Sequence, residues 1–281
     1  MSYKTILACA ETEEELGIVM PVAMKVAKDH GAHIVGLHVM RSPRVMVHTP
    51  YEIDILVEAE ERVRKATLKR AEDLGKVFET HVDDEADAVG EWRAVQSPMT
   101  GVEDILIEHA RRCDLVIMAQ PDPATDRLDR IGTVGEAIMQ SGRPVLVVPY
   151  AWNPRSFAQK IFAAWNGSRE GTRAVHDALP FLRSAGEVRL CAVGKGADGE
   201  MLAGAELAAT LSRHGVKAVT ETEIATGGMS VGATLLSRMA DHGSDMLVMG
   251  GYGHSRAREY VFGGVTRDML KVMTVPVLFS H

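Results

Sequence analysis

Ser244–His281 reads SDMLVMGGYGHSRAREYVFGGVTRDMLKVMTVPVLFSH, and the rest of the chain is organised around it. Met246-Leu247-Val248-Met249 is a short apolar run of the kind that forms a buried parallel strand. A glycine-studded loop follows, Gly250 to Ser255, and then a basic stretch with Arg256 and Arg258. A second glycine pair, Gly263-Gly264, leads through Val265-Thr266 into a helical pattern and a last strand, Pro276–Phe279. Strand, glycine loop and helix start together turn several backbone N–H groups toward one point. Glycine removes the Cβ that would keep an anion away, and a helix start adds unpaired N–H groups and the positive end of a dipole. The pattern predicts an anion site, with phosphate as its ligand.

Gly250, Gly253 and Gly263 fit Gly-x2-Gly-x9-Gly. This spacing resembles the nucleotide-binding signature of the universal stress protein family. The signature closes on Ser or Thr, whereas this chain has Gly264 there, followed by Val265-Thr266. Either Thr266 supplies the missing hydroxyl, or the outer phosphates are held less tightly than in the nucleotide-binding members.

Working outward, the same plan occurs twice. Ile6–Glu11 lies over Ile161–Asn166, Leu115–Ala119 over Met246–Gly250, and Arg143–Leu146 over Val275–Leu278. The periodicity in each half alternates β-α-β-α-β-α-β-α-β, which implies a parallel sheet with helices on both faces and right-handed crossovers. In the first half, strands are expected at Lys4–Cys9, Ala32–Val39, Gly90–Gln96, Asp114–Ala119 and Pro144–Val148. A capping box at Thr12 to Glu15 opens a helix that Pro21 should kink or delay, and a long charged helix follows from about Tyr51 to Thr80. In the second half, strands are expected at Lys160–Trp165, Glu187–Val193 and Val219–Ile224, with helices at Ser168–Ala185, Gly199–His214 and Ser230–His242. The proline-bearing segment Tyr150–Phe157 is the expected linker.

The repeat and the motif together identify the chain as similar to a tandem universal stress protein. The resemblance implies two Rossmann-like domains of the adenine nucleotide alpha-hydrolase type, at 1–150 and 157–281, each a five-stranded parallel sheet flanked by helices. It also implies a site in the second copy made of Asn166, Val193, Gly250, Gly253, His254, Arg256, Gly263, Gly264, Val265 and Thr266. In the family, the residue after strand one meets the adenosine, and the backbone at the end of strand two contacts adenine. Asn166 and Val193 hold these positions. Read without the family, Asn166 is equally an Asx turn or N-cap ahead of Ser168, and Thr266 either reaches a phosphate oxygen or caps its own helix. Arg256 offers a fork of donors suited to phosphate, and Arg258 is read as a surface cation.

The first copy has lost the signature. Ala119 and Asp122 replace the first two glycines, and Pro121 and Pro123 remove N–H donors. Asp122 and Asp126 add negative charge, while Glu11 and Gly132-Thr133 are retained. This half is expected to bind no ATP in the usual way.

The implied ligand is ATP, with ADP or AMP as alternatives, and Mg2+ arriving only with the nucleotide. No catalytic residue stands out, because no acid lies inside Gly250–His254 to orient a water. The leading expectation is a stress-response sensor or regulator without efficient turnover; a slow ATPase and a nucleotide-independent dimerisation module are the alternatives. The net charge of −7 over 281 residues, with the acid excess in the first half, argues against nucleic acid. The three cysteines are scattered, and the eleven histidines show no metal-site spacing, so no structural metal is expected. His30, His214 and His242 each precede a helix-closing glycine, where a cation suits the dipole. MSYKTILACA runs straight into a strand without a signal-peptide pattern, and no apolar run is long enough to span a bilayer. A cytoplasmic protein that keeps away from membranes is therefore expected. Its two halves pair with each other, leaving either a monomer or a further homodimer.

Overall fold

A computed structural model describes residues 2–41, 53–85, 87–97, 101–122, 128–152, 156–194, 197–224, 230–253 and 264–281. The first half contributes β1 (Thr5–Cys9), α1 (Glu13–His30), β2 (His33–Met40), α2 (Ile53–Asp83), β3 (Val89–Gln96), α3 (Val102–Ala110), β4 (Leu115–Ala119), α4 (Leu128–Gln140) and β5 (Val145–Val148). The second contributes β6 (Lys160–Trp165), α5 (Arg169–Asp177), α6 (Leu179–Ser184), β7 (Glu187–Gly194) and α7 (Ala197–Arg213). It continues with β8 (Ala218–Ile224), α8 (Val231–His242), β9 (Met246–Gly250), α9 (Val265–Val272) and β10 (Val277–Ser280).

Each half is a parallel sheet in the order 3-2-1-4-5, and the two join into one ten-stranded sheet, β3-β2-β1-β4-β5-β10-β9-β6-β7-β8. The junction is the one antiparallel ladder among the described residues, with Val277 opposite Val147, Leu278 opposite Leu146 and Phe279 opposite Val145. The apolar runs of β1, β4, β5, β9 and β10 are buried on both faces, which is why they show no alternation. Alternate residues feed two cores that cross the junction. One gathers Ile6, Leu146, Leu278 and Phe181, and the other Leu7, Val147, Val277 and Ile138.

Local signals explain the helix boundaries. The Thr12 hydroxyl accepts from Glu15 N at 3.3 Å, and Glu15 Oε2 accepts from Glu11 N at 2.7 Å. The two bonds tie the β1–α1 corner down, the carboxylate reaching one residue beyond the N-cap nitrogen of a capping box. Gly31 closes α1 with φ 57° and ψ 53°. Pro21 neither delays nor splits this helix, which runs unbroken from Glu13 to His30; the one hydrogen bond forgone would have gone to Gly17. The single helix expected over Ser168–Ala185 is instead two, because Pro180 starts a new turn after Ala178. The second segment ends on an extended Ala185 and not on a left-handed residue.

Direct bonds stitch the halves together beside the β5–β10 ladder. Tyr3 Oη donates to Asp177 O at 2.7 Å, Arg173 donates to Gly142 O at 2.6 Å, and Gln120 Nε2 donates to Leu270 O at 2.9 Å. No helix among the described residues is long and apolar enough to cross a membrane.

Candidate functional site

In each half the strand order turns between the first and fourth strands, and ligands of open parallel sheets bind beyond the carboxyl ends of such a pair. In the second half these strands are β6 and β9, paired in parallel with Ala164 opposite Met249. Gly250 ends β9, and α5 passes directly over it. A Cβ on Gly250 would lie 2.6 Å from Gly171 N and 2.8 Å from Glu170 C, so this glycine is demanded by packing. Gly251 is equally confined, since its Cβ would meet Ile138 Cγ2 at 2.6 Å.

The loop then turns outward. Gly251 N donates to Ser280 O at 2.8 Å, and Tyr252 N donates to Thr266 Oγ1 at 3.0 Å. Tyr252 takes a left-handed backbone, φ 54°, and its phenol oxygen sits where a Cβ on Gly135 of α4 would be, 2.6 Å away. The second half's loop thus leans on a helix of the first. Gly253 is the exposed lip of the loop, and the nearest neighbour to a Cβ there is Glu170 Oε2 at 3.4 Å.

Across the crevice, α9 starts at Gly264, whose extended backbone (φ −66°, ψ 152°) caps the helix without a side-chain bond. Thr12, Ser168 and Ser230 each cap their helices with a hydroxyl. Among the described residues the first-turn N–H groups of α9 therefore have no side-chain acceptor of the kind those three helices have, a condition that suits an anion. Val265 stands in that first turn, half-buried. Thr266 is only 2% exposed, and its hydroxyl accepts from Tyr252 N, which ties the loop to the first turn of α9.

Asn166 lies exposed just beyond β6, where its Oδ1 accepts from Ser168 N at 3.2 Å, and Ser168 Oγ in turn accepts from Gly171 N at 3.1 Å. Asn166 forms the Asx turn that launches α5. Val193 is near the end of β7, opposite Glu223 of β8. The structure thus brings Asn166, Val193, Gly250, Gly253, Gly264, Val265 and Thr266 to one end of the sheet. His254, Arg256 and Gly263 lie outside the described residues. The group fits an anionic ligand at Gly253 and the α9 start, with one qualification that sequence reading missed. Glu170, 8% exposed in the first turn of α5, sets a carboxylate beside the loop, and its one charged partner among the described residues is Arg169, Nε at 3.2 Å. Its signal lay in the repeat, because the register that pairs Glu11 with Asn166 pairs Glu15 with Glu170.

The first half fills the same place with its own ions. Arg130, in the first turn of α4, is 7% exposed at its side chain, bonds Glu15 through a terminal nitrogen and brings Nε to 3.7 Å from Glu11. Arg41 also reaches Glu11, at 3.7 Å. Burial pulls the Arg130 guanidinium below its ordinary value, and the Glu11 charge opposes that shift. Thr133 lies inside α4, not at its start, and donates to Glu103 at 2.8 Å. Gln120, the counterpart of Gly251, is buried and spends its side chain on Leu270 O and Tyr150 N.

Residues 158–281 match the model of the universal stress protein family. The second half belongs to that family. Its glycine loop and the α9 start fall inside the matched range. Over the whole chain the fold is that of solved universal stress proteins. One from Archaeoglobus fulgidus DSM 4304 overlays with a TM-score of 0.70 at 15% identity, covering 98% of this chain and 95% of that one. A putative universal stress protein from Pseudomonas aeruginosa UCBPP-PA14 overlays at 0.58 and 12% identity, covering 99% and 93%. A functionally unknown protein from Pseudomonas aeruginosa PAO1 gives 0.60 at 12%, covering 99% and 92%. Comparison with curated protein sequences gave no match.

Proposed function

We propose that the chain is a two-unit stress-response protein, divided at 1–150 and 157–281, whose second unit binds one adenine nucleotide. ATP is the ligand of this reading, with Mg2+ carried on its phosphates. The observation behind it is the pairing of an exposed Gly253 with the uncapped start of α9, beyond the carboxyl ends of β6 and β9. Backbone N–H groups there meet the phosphates, Asn166 offers its amide to the ribose side, and the backbone at Val193 faces the adenine. Arg256 and His254 belong to the same stretch and add positive charge.

The protein reads nucleotide and does not spend it efficiently. Thr266, the residue nearest the family's closing hydroxyl, is engaged by Tyr252 N, so the outer phosphates rest on the loop's backbone and on Arg256 and His254. The first unit binds no nucleotide, because Arg130, Glu11 and Glu15 fill the equivalent crevice with a closed ion cluster. It serves as a structural partner, joined through β5 and β10. A stoichiometric mixture of protein and ATP–Mg2+ tests the reading: the nucleotide should be recovered intact after many binding lifetimes, with one equivalent held per chain. Multiple turnovers would favour a slow ATPase, and no retention a purely structural module.

A further inference from the structure

The phosphate lip of the second unit is propped from the first. Gly253 follows directly on Tyr252, one of two described non-glycine residues with a left-handed backbone, φ 54°. Crowding at Cβ makes that conformation costly for an aromatic residue, and it persists where surrounding contacts over-determine it. Tyr252 N donates to Thr266 Oγ1 of α9 at 3.0 Å. Gly251, the residue before, donates its N–H to Ser280 O at 2.8 Å, and a Cβ there would lie 2.6 Å from Ile138 Cγ2 of α4. The ring itself crosses to the first unit: its Oη lies 2.6 Å and its Cζ 3.3 Å from where a Cβ on Gly135 of α4 would be.

The receiving helix is shaped for that ring. Gly135 is buried inside α4, where glycine is a poor helix former. An alanine there would favour the helix and collide with the phenol. Gly132, a turn earlier in the same helix, is exposed, and a Cβ on it would meet no described atom within 4 Å. Of the two glycines, Gly135 has a packing reason, and that reason is Tyr252.

We infer that Tyr252 is a positioning residue for the nucleotide, and that the Gly135 notch of the first unit sets the affinity of the second unit's site. The inference rests on the nucleotide reading and names an element outside the second unit on which that site depends. The Gly253 N–H belongs to the peptide that Tyr252 begins, so a ring pushed off the notch turns this donor away from the phosphate. A hydrogen bond to a charged oxygen is worth about tenfold or more in affinity. The first unit, whose own crevice is filled by ions, thus takes part in binding through α4.

The test is calorimetric titration of the full chain with ATP–Mg2+, for the wild type and for variants shown by melting to be folded. Gly135→Ala should weaken binding about tenfold, whereas Gly132→Ala, the same change on the same helix, should bind within about twofold of the wild type. Adding Tyr252→Phe to Gly135→Ala removes the ring atom nearest the new methyl and should recover most of the loss. Tyr252→Asn keeps a residue that tolerates the left-handed turn but lacks the ring, and should also bind about tenfold more weakly. That variant leaves α4 untouched, so it tests the ring even if Gly135→Ala does not fold. Wild-type affinity in Gly135→Ala or in Tyr252→Asn overturns the inference and leaves the nucleotide reading intact. An equal loss in Gly132→Ala, or no recovery in the double variant, also overturns it. Absence of binding by the wild type overturns the nucleotide reading, and the inference falls with it.

Discussion

Replacing Arg130 by methionine should destabilise the protein through the ion cluster in the first-half crevice. The side chains of Arg130, Glu15 and Glu11 are 7%, 15% and 21% exposed, so little water is available to replace the lost guanidinium. Removing one member of a buried pair costs about 3–5 kcal/mol, because the remaining charge is left uncompensated. The partial exposure of Glu11, and Arg41 at 3.7 Å from it, bring the expectation to about 2–4 kcal/mol. At about 2–4 °C per kcal/mol for a chain of this size, the melting temperature should fall by roughly 5–15 °C. The assay is calorimetric melting at pH 7, with Arg130→Met, Glu15→Gln and the double variant forming a cycle. Because the penalty comes from an orphaned carboxylate, Glu15→Gln should restore part of the stability lost in Arg130→Met. A loss below about 1 kcal/mol, or a further loss on adding Glu15→Gln, would refute the reasoning.

Other outcomes follow from single contacts. Gly250→Ala should cost about 1–3 kcal/mol by denaturant unfolding, since its Cβ would strike the α5 backbone at Gly171 N and Glu170 C, neither of which is a movable side-chain tip. His38 is buried in β2, where its Nδ1–H donates to Ala10 O at 3.1 Å and its ring stacks on Trp92. Burial lowers its pKa, with the Ala10 hydrogen bond opposing, so below about pH 6.5 the unfolded chain takes up a proton that the folded chain refuses. Stability should therefore drop as pH falls from about 7 toward 5, and His38→Gln should flatten that drop in unfolding titrations at successive pH values. All three cysteines are buried, and burial pushes the Cys113 thiol up to about 11 and the Cys9 thiol well above its ordinary value. A thiol reagent should label none in the native protein and three on denaturation.

The repeat and the apolar runs were legible because buried parallel strands need unbroken runs of Val, Leu, Ile and Met. Lys160–Trp165 agrees to the residue, and most other strands to within one. Less legible were effects of partner elements. Pro180 breaks a helix whose helical periodicity continues past it, whereas Pro21 leaves α1 intact. Gly250 and Gly251 read as a phosphate cradle, yet both are required by helices packed on them. Thr266 offered two readings, and the contact it makes was in neither, because Tyr252 N reaches its hydroxyl across 14 residues of chain. His30 suggested a cation on a helix end, but burial lowers its pKa. Arg130 was invisible as a crevice group because its partners, Glu11 and Glu15, are more than a hundred residues away in sequence.

Central to the account is one nucleotide at the lip formed by Gly253 and the α9 start. Calorimetric titration of nucleotide-stripped protein with ATP–Mg2+, beside a Gly253→Asp variant that copies Asp122 of the first half, tests it most directly. The account predicts one site per chain in the wild type and none in the folded variant. No heat from either protein, or equal binding by both, would contradict it.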